Sequence, residues 1–168
     1  MSSYTAQDLR WPDNWFSNFL VKAMNIQEIA LADVPEEKKA QGYGRAAQLI
    51  IDGCGIYEIA FTKRGLVPKP EDIEIKNAIY ASEETMLDLI TPDIDVDDLQ
   101  RMIKAKGMDY ALSRLHPRLN FRAAIANHLI TFDGERPDVD SEEWSQIIDR
   151  FLNKIAFPFV VRSLVKHA

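Results

Sequence analysis

Asp93, Asp95, Asp97 and Asp98 form a compact group of carboxylates that could bind a cation. A calcium loop starting at Asp93 would need glycine at its sixth position and a bidentate glutamate at its twelfth. Asp98 and Lys104 occupy those positions, so the motif fails. Helix capping, in which aspartate side chains accept from free backbone amides, is favoured over an irregular cation site. No metal site and no cofactor is predicted.

One cysteine and three histidines are the other candidates for catalysis or metal binding: Cys54, His116, His128 and His167. No two of these histidines stand three or four residues apart, which excludes the spacing of a zinc-binding helix. Cys54 and His128 fall on apolar stripes, which favours an unreactive core thiol and a hydrogen-bonded core histidine. A Cys54–His128 pair stays open, and no catalytic residue is predicted.

Two glycine pairs could bring the backbone close to a ligand. Gly42-Tyr43-Gly44 lacks the further glycine and the Gly-Lys-Ser/Thr sequence of phosphate loops, so no nucleotide site is predicted. Gly53-Cys54-Gly55 lies on a predicted helix, where each glycine costs about 1 kcal/mol relative to alanine. Close approach of another helix would offset that cost. A helix break or a ligand groove is the alternative.

Acidic residues are concentrated in two segments. Residues 71–98 hold ten acids and one base, and residues 133–149 hold seven acids and one base. Blocks of one sign create local fields that steer partners. We therefore predict a protein partner with a basic surface, contacted by Asp93, Asp95, Asp97, Asp98, Glu83 and Glu84.

A basic segment lies between the acidic ones. Residues 101–122 hold one acid and six bases, which are Arg101, Lys104, Lys106, Arg114, Arg118 and Arg122. Phosphate binding by this segment makes a nucleic-acid-binding component the alternative function. The order helix, Gly107, helix is that of a helix-turn-helix, but Ser113 and His116 stand where that motif needs apolar anchors. Pairing of these bases with the acidic segments is the third interpretation.

The elements that must position these residues are predicted to be helices almost throughout. Apolar residues at helical spacing predict a first helix after Asp13 and a central helix over residues 36–64. Another helix is expected after Pro70, either unbroken to residue 90 or restarting at Ser82. Three further helices are predicted before the last one. The first runs from Asp95 or Asp97 to Gly107, and the second covers residues 110–115. The third carries an apolar stripe of Phe121, Ile125, His128, Leu129 and Phe132.

The last helix is predicted to start at Ser141 and to be kinked or broken by Pro158. Residues 155–161 are apolar on every side, which predicts burial in the core or a homodimer surface. The predicted fold is all-α, a single compact domain over residues 1–168 with about six to eight helices.

The composition fits a globular protein that works inside the cell. The chain has 168 residues, 46% of them hydrophobic, and one cysteine. No signal peptide and no run of roughly 18 apolar residues is present, so a cytoplasmic protein without membrane contact is expected. The predicted function is a non-enzymatic protein–protein interaction module: a regulator, inhibitor, immunity protein or adaptor. An enzyme with an unrecognised site is a further alternative.

Overall fold

The computed structural model describes residues 3–134 and 142–166, apart from the side chains of residues 29–30, 142–144 and 163–166. Strands and helices share the chain, so the prediction of an all-α helical bundle is wrong. The elements are, in order, α1 (Trp15–Ala30), α2 (Glu36–Ala40), β1 (Arg45–Asp52), β2 (Gly55–Thr62), β3 (Gly65–Pro68), β4 (Asn77–Ser82), α3 (Glu83–Ile90), α4 (Val96–Lys106), α5 (Met108–Arg114), α6 (Phe121–Ala126), β5 (Ile130–Gly134) and α7 (Glu142–Lys166).

The five strands form one mixed sheet in the order β3-β2-β1-β4-β5. The central strands β1 and β4 are parallel, with Leu49 opposite Ile79. The other neighbours are antiparallel. The sheet therefore joins an antiparallel meander, β1 to β3, to the antiparallel pair of β4 and β5 through its parallel centre.

The predicted central helix over residues 36–64 is instead α2 followed by a β-hairpin. Gly53 and Cys54 form the turn between β1 and β2, and Gly53 has a φ of +90°, which glycine adopts without strain. The glycines around Cys54 thus reverse the chain, and the predicted close approach of another helix at this point is wrong. β4 likewise replaces the first part of the helix predicted after Pro70.

Several helix boundaries match the predicted capping signals. The Ser82 hydroxyl accepts a hydrogen bond from the backbone amide of Thr85 at 3.1 Å, which makes Ser82 the N-cap of α3. Asp95 caps α4 by accepting from the Asp97 amide at 2.7 Å. Gly107, with a φ of +93°, ends α4. The predicted helix that begins at Ser82 and the predicted helix from Asp95 to Gly107 are therefore confirmed.

The helix predicted through Phe132 ends early. α6 stops at Ala126, and β5 begins at Ile130. His128 lies between them, exposed and with a φ of +58°, so its prediction as a core histidine is wrong. The tight α6–β5 junction turns the chain back into the sheet.

The two faces of the sheet differ in what covers them. The inner face, as we call it, packs against α1 and α7 in the main hydrophobic cluster. By strand register it carries Ala47, Leu49, Ile51, Ile59, Phe61, Ile79, Ala81, Ile130 and Phe132. Among the described residues, one end of the outer face is covered, where Ile73 and Ile75 pack on Ala46, Ala60 and Val67.

Gln27 of α1 bonds to the edge strand β3. Its side-chain amide donates to the carbonyl of Leu66 at 2.8 Å and to that of Met24 at 2.9 Å, and its Oε1 accepts from the Leu66 amide. Gln27 is buried, so these bonds replace the water that it loses. The bonds fix α1 along the β3 side of the sheet.

α7 runs through Pro158 as one helix element. Its apolar segment is mostly core, because Ile155, Ala156, Phe157 and Val161 are buried. Phe159 is the exception, being 56% exposed beneath the Lys22 ammonium at 4.8 Å. A homodimer through this segment stays a prediction. Ser141 and His167 lie outside the described residues.

Candidate functional site

A cavity of about 650 Å³ lies between the inner face and the helices α1 and α7. Its walls are mainly apolar. The sheet contributes Ala47, Leu49, Ile59, Phe61 and Ile79, α1 contributes Phe16, Phe19, Leu20 and Ala23, and α7 contributes Ile147, Ile148, Phe151 and Leu152. This volume is within the roughly 300–1,000 Å³ typical of small-molecule sites.

The cavity lies where a core would normally be closed. Leu49 and Ile79 stand side by side in the two central strands and face the helices, yet both are only partly buried. Phe151 and Leu152 on α7 are also partly buried. Side chains in such positions ordinarily interlock without voids. The sheet and α7 therefore hold open a space that their own side chains do not fill.

Polar lining residues are confined to one end of the cavity. Arg45 and Asn77 are the first residues of β1 and β4, and Tyr43, Gly44 and Lys76 lie just before these strands. Gly44, Arg45 and Lys76 are exposed and mark the cavity mouth. Within the described part of the chain, neither Arg45 nor Lys76 has an ion-pair partner. The described charged residues that line the mouth, Arg45 and Lys76, are thus both positive.

Tyr43 is held at the mouth by Glu36. The Tyr43 hydroxyl donates to the Glu36 carboxylate at 2.7 Å, and Lys39 pairs with the same carboxylate at 3.3 Å. These two bonds hold the pKa of Glu36 below its usual range, and the bond to Glu36 raises the pKa of Tyr43. Glu36 is already paired, so its charge offsets little of the positive field from Arg45 and Lys76.

A buried polar cluster lies farther along the inner face. Tyr57, which pairs with Leu49 in register, places its hydroxyl 2.8 Å from that of Ser17 and 3.3 Å from the Asn14 side-chain oxygen. Asn14 in turn donates to the Cys54 carbonyl at 2.8 Å. This cluster ties the start of α1 to the β1–β2 turn.

Cys54 is buried near Glu83. Burial, and then the charge of Glu83, raise the pKa of the Cys54 thiol, which lowers its reactivity. Glu83 also accepts from the Trp15 indole at 3.0 Å. None of Cys54, Tyr57 and His128 lines the cavity, so the enzyme alternative gains no support from it.

Asp149 connects α7 to the start of α6. Its carboxylate accepts from the Phe121 amide at 2.9 Å, and Phe121 lines the cavity. Burial raises the pKa of Asp149 despite this hydrogen bond. An ionisable group therefore lies directly behind one cavity wall.

The six acidic residues predicted to bind a protein occupy two places. Glu83 and Glu84 open α3, and Asp93 to Asp98 follow its end. Since α3 has eight residues, its two ends are about 12 Å apart. Asp95 is a helix cap, and Asp98 pairs with Arg101 at 2.7 Å. Their role in partner binding stays a prediction.

The basic residues predicted to bind nucleic acid lie on three neighbouring helices and a loop. Arg101, Lys104 and Lys106 are on α4, Arg114 ends α5, Arg118 lies in the following loop and Arg122 is on α6. All are exposed, with Arg114 lying 5.2 Å from the Tyr110 ring centre. Nucleic-acid binding by this group stays a prediction.

Neither a metal cluster nor a membrane-spanning helix is present among the described residues. No group of three or more histidine, cysteine, aspartate or glutamate side chains in residues 3–134 and 142–166 is arranged to hold a metal ion. No helix in the same ranges is long and apolar enough to cross a membrane.

Comparisons with known proteins give a distant likeness among solved structures. No protein-family model and no curated protein sequence matches the chain. Among solved structures, the chain is similar to one described as a UbiJ-SCP2 ubiquinone synthesis protein, with a TM-score of 0.39 and 12% sequence identity. The alignment covers 82% of this chain and 93% of that one. At this TM-score the likeness supports no conclusion about function.

Proposed function

We propose that this protein binds a small amphiphilic molecule, with its apolar body in the inner cavity and its anionic end at Arg45. The observation that carries the proposal is the segregation of the lining. The walls along the sheet and helices are apolar, whereas the polar lining residues lie at the mouth. An elongated ligand with one polar end matches this pattern.

The energy of an unfilled cavity supports occupation by a ligand. The cavity opens at its polar end, and its apolar walls face a space that no side chain of the described residues fills. A ligand that covers apolar surface there gains about 25 cal/mol for each Å² that it removes from water. Water fills such a space poorly because the apolar walls offer few hydrogen-bond partners.

The charge at the mouth supports an anionic ligand end. Arg45 extends from the first position of β1 and is exposed, so an anion there keeps part of its hydration while it pairs with the guanidinium. Such a contact adds modest affinity and sets orientation. The apolar walls supply most of the binding energy.

A fluorescent fatty acid tests the proposal. Protein freed of bound lipid is titrated with a dansyl-labelled undecanoic acid, and oleic acid is then added as a competitor. We expect saturable binding with a blue-shifted emission, reversed by oleic acid. Absence of saturable binding at micromolar protein would contradict the proposal.

Two variants locate the site. Ala47→Met fills the cavity from β1 and should weaken binding about tenfold, because overpacking costs about 1–3 kcal/mol. Ala78→Met makes the same change on the outer face and serves as the matched control. Arg45→Gln should weaken binding of oleic acid but not of its methyl ester. Equal effects of Ala47→Met and Ala78→Met would argue against binding in the cavity.

The proposal does not replace the predicted protein–protein interaction module. A cavity between sheet and helices leaves the outer surfaces free for a partner. The module function, its nucleic-acid alternative and the cytoplasmic location stay predictions.

A further inference from the structure

The outer face of the sheet carries a row of four outward side chains, three of them apolar, that crosses four strands. This outer row consists of Ile56, Ile50, Tyr80 and Thr131, which are successive partners in the register of β2, β1, β4 and β5. Ile56 is 58% exposed and Tyr80 is 38% exposed. At about 4.8 Å between strands, the row is about 14 Å long. Large apolar side chains thus form a short exposed stripe on a rigid surface.

Acidic side chains border the outer row on both sides. One border lies two residues along the strands from the outer row and consists of Glu58 on β2 and Asp133 on β5. The other border lies two residues away on the opposite side and consists of Asp52 on β1. All three are exposed. In the described ranges none of the three has an ion-pair partner, and no lysine or arginine takes an outward position in these rows. The stripe is therefore apolar with a negative rim.

The rest of the outer face leaves this surface open. The segment after β3 covers the other end of the face, where Ile73 and Ile75 pack on the sheet. Lys69 follows β3 beside Glu58, but its ammonium donates to the carbonyls of Pro70 and Ile73 at 2.9 and 3.0 Å. In residues 3–134 and 142–166, the part of the face left uncovered is the outer row and its acidic borders.

We infer that the outer row docks an amphipathic helix of a protein partner, one whose apolar stripe is bordered by lysine or arginine. The two acidic borders are four residues apart along β1, or about 13 Å. A helix with its side chains is about 10–12 Å wide, so its basic flanks would reach both borders. Its apolar stripe would cover Ile56, Ile50 and Tyr80.

Charge complementarity selects this partner over a second copy of the chain. Two copies meeting through the same face would bring the acidic rims together, and like charges at an interface oppose association. The inference rests on the outer face alone and is independent of the inner cavity.

Two synthetic helices of equal length test the inference. One combines leucine with lysine in an amphipathic pattern, and the other replaces each lysine with glutamate. Binding to the full chain is followed by fluorescence anisotropy at low and moderate salt. We expect the lysine helix to bind, more weakly as salt rises, and the glutamate helix not to bind.

Matched variants separate the outer row from general charge attraction. Ile56→Thr with Tyr80→Thr should weaken binding of the lysine helix about thirtyfold, since two truncated contact residues at about 1 kcal/mol each sum to about 2 kcal/mol and 1.4 kcal/mol is tenfold. Leu87→Thr, which alters an exposed leucine on α3, is the apolar control. Glu58→Lys with Asp133→Lys should also weaken binding. Asp93→Lys with Asp97→Lys changes the net charge equally and should leave binding intact.

Three results would overturn the inference. The first is no binding of the lysine helix at low salt. The second is an equal loss of affinity in the two charge-reversed proteins, which would mean attraction by net charge alone. The third is a dimer in light scattering that Ile56→Thr with Tyr80→Thr dissociates, which would make a second copy the occupant.

Discussion

The hydroxyl groups of Ser17 and Tyr57 lie 2.8 Å apart, and both side chains are fully buried. Tyr57→Phe leaves Ser17 with only the longer, 3.3 Å contact to Asn14. We therefore expect it to lower the free energy of unfolding by about 1–2 kcal/mol, measured by urea denaturation. Tyr43→Phe, which removes a hydroxyl bonded at the surface, should cost less. A larger loss in Tyr43→Phe would contradict this account.

Gly65 has no room for a side chain. It has a φ of +97°, and a Cβ there would collide with the side-chain oxygen of Gln27. Gln27 can move only by giving up its bonds to Leu66. We expect Gly65→Ala to destabilise the fold by at least about 2 kcal/mol in urea denaturation.

Gly107→Ala is the matched control for that substitution. Gly107 has a φ of +93° and a ψ of 166°, a backbone region almost confined to glycine, but it has nothing within 4 Å of a Cβ. Alanine there pays only the conformational penalty, about 1–3 kcal/mol. The difference between the two variants measures the conflict with Gln27. Equal losses would mean that Gln27 moves aside without consequence.

Ionisation of Asp149 opposes folding, because burial raises the pKa of its carboxyl in the folded state. The penalty is absent below the ordinary pKa and appears as pH rises from that value through the folded pKa. Asp149→Asn keeps an oxygen for the Phe121 amide and removes the charge. We expect this variant to gain stability over the wild type at neutral pH but not below about pH 3, measured by urea denaturation across pH.

Asp33 has the opposite effect on how stability depends on pH. A hydrogen bond from Lys154 at 2.8 Å holds the pKa of Asp33 below its usual range. Its contribution to stability is present above the ordinary pKa and is lost as pH falls through the folded pKa. Asp33→Asn should therefore lose stability at neutral pH and match the wild type in acid. If Asp149→Asn and Asp33→Asn changed the stability at neutral pH in the same direction, burial of Asp149 would not explain the effect of its substitution.

The helix caps could be predicted because each depends on a few adjacent residues. Ser82, Asp95 and Gly107 act through their own side chain or backbone and need no distant partner. The capping hydrogen bonds are within four residues of the cap, so the sequence contains all that is needed to place them.

The central strands were missed because both of their faces carry apolar residues. In β1, Leu49 and Ile51 face the helices while Ala46 and Ile50 lie on the outer face. The resulting apolar run has no clear alternation, and spacings of three and four residues can be found within it by coincidence. The glycines around Cys54, between two apolar runs, were the available hairpin signal.

The cavity itself could not be predicted from the sequence. Its walls come from all five strands and from helices as far apart in the chain as α1 and α7. The void depends on how closely these elements approach. No local sequence pattern determines the distance between the sheet and the helices. Arg45, which sets the charge of the mouth, was not predicted as a site residue because it stands outside the basic segment 101–122.

The hydrogen bonds between Gln27 and β3 bear on how the protein avoids aggregation. A sheet edge invites strands of other molecules through its free backbone amides. In β3 the outward positions are Leu66, whose amide is taken by Gln27, and Pro68, which has no amide hydrogen. This edge therefore offers no donor to an incoming strand. Loss of Gln27 would reopen the edge to intermolecular pairing.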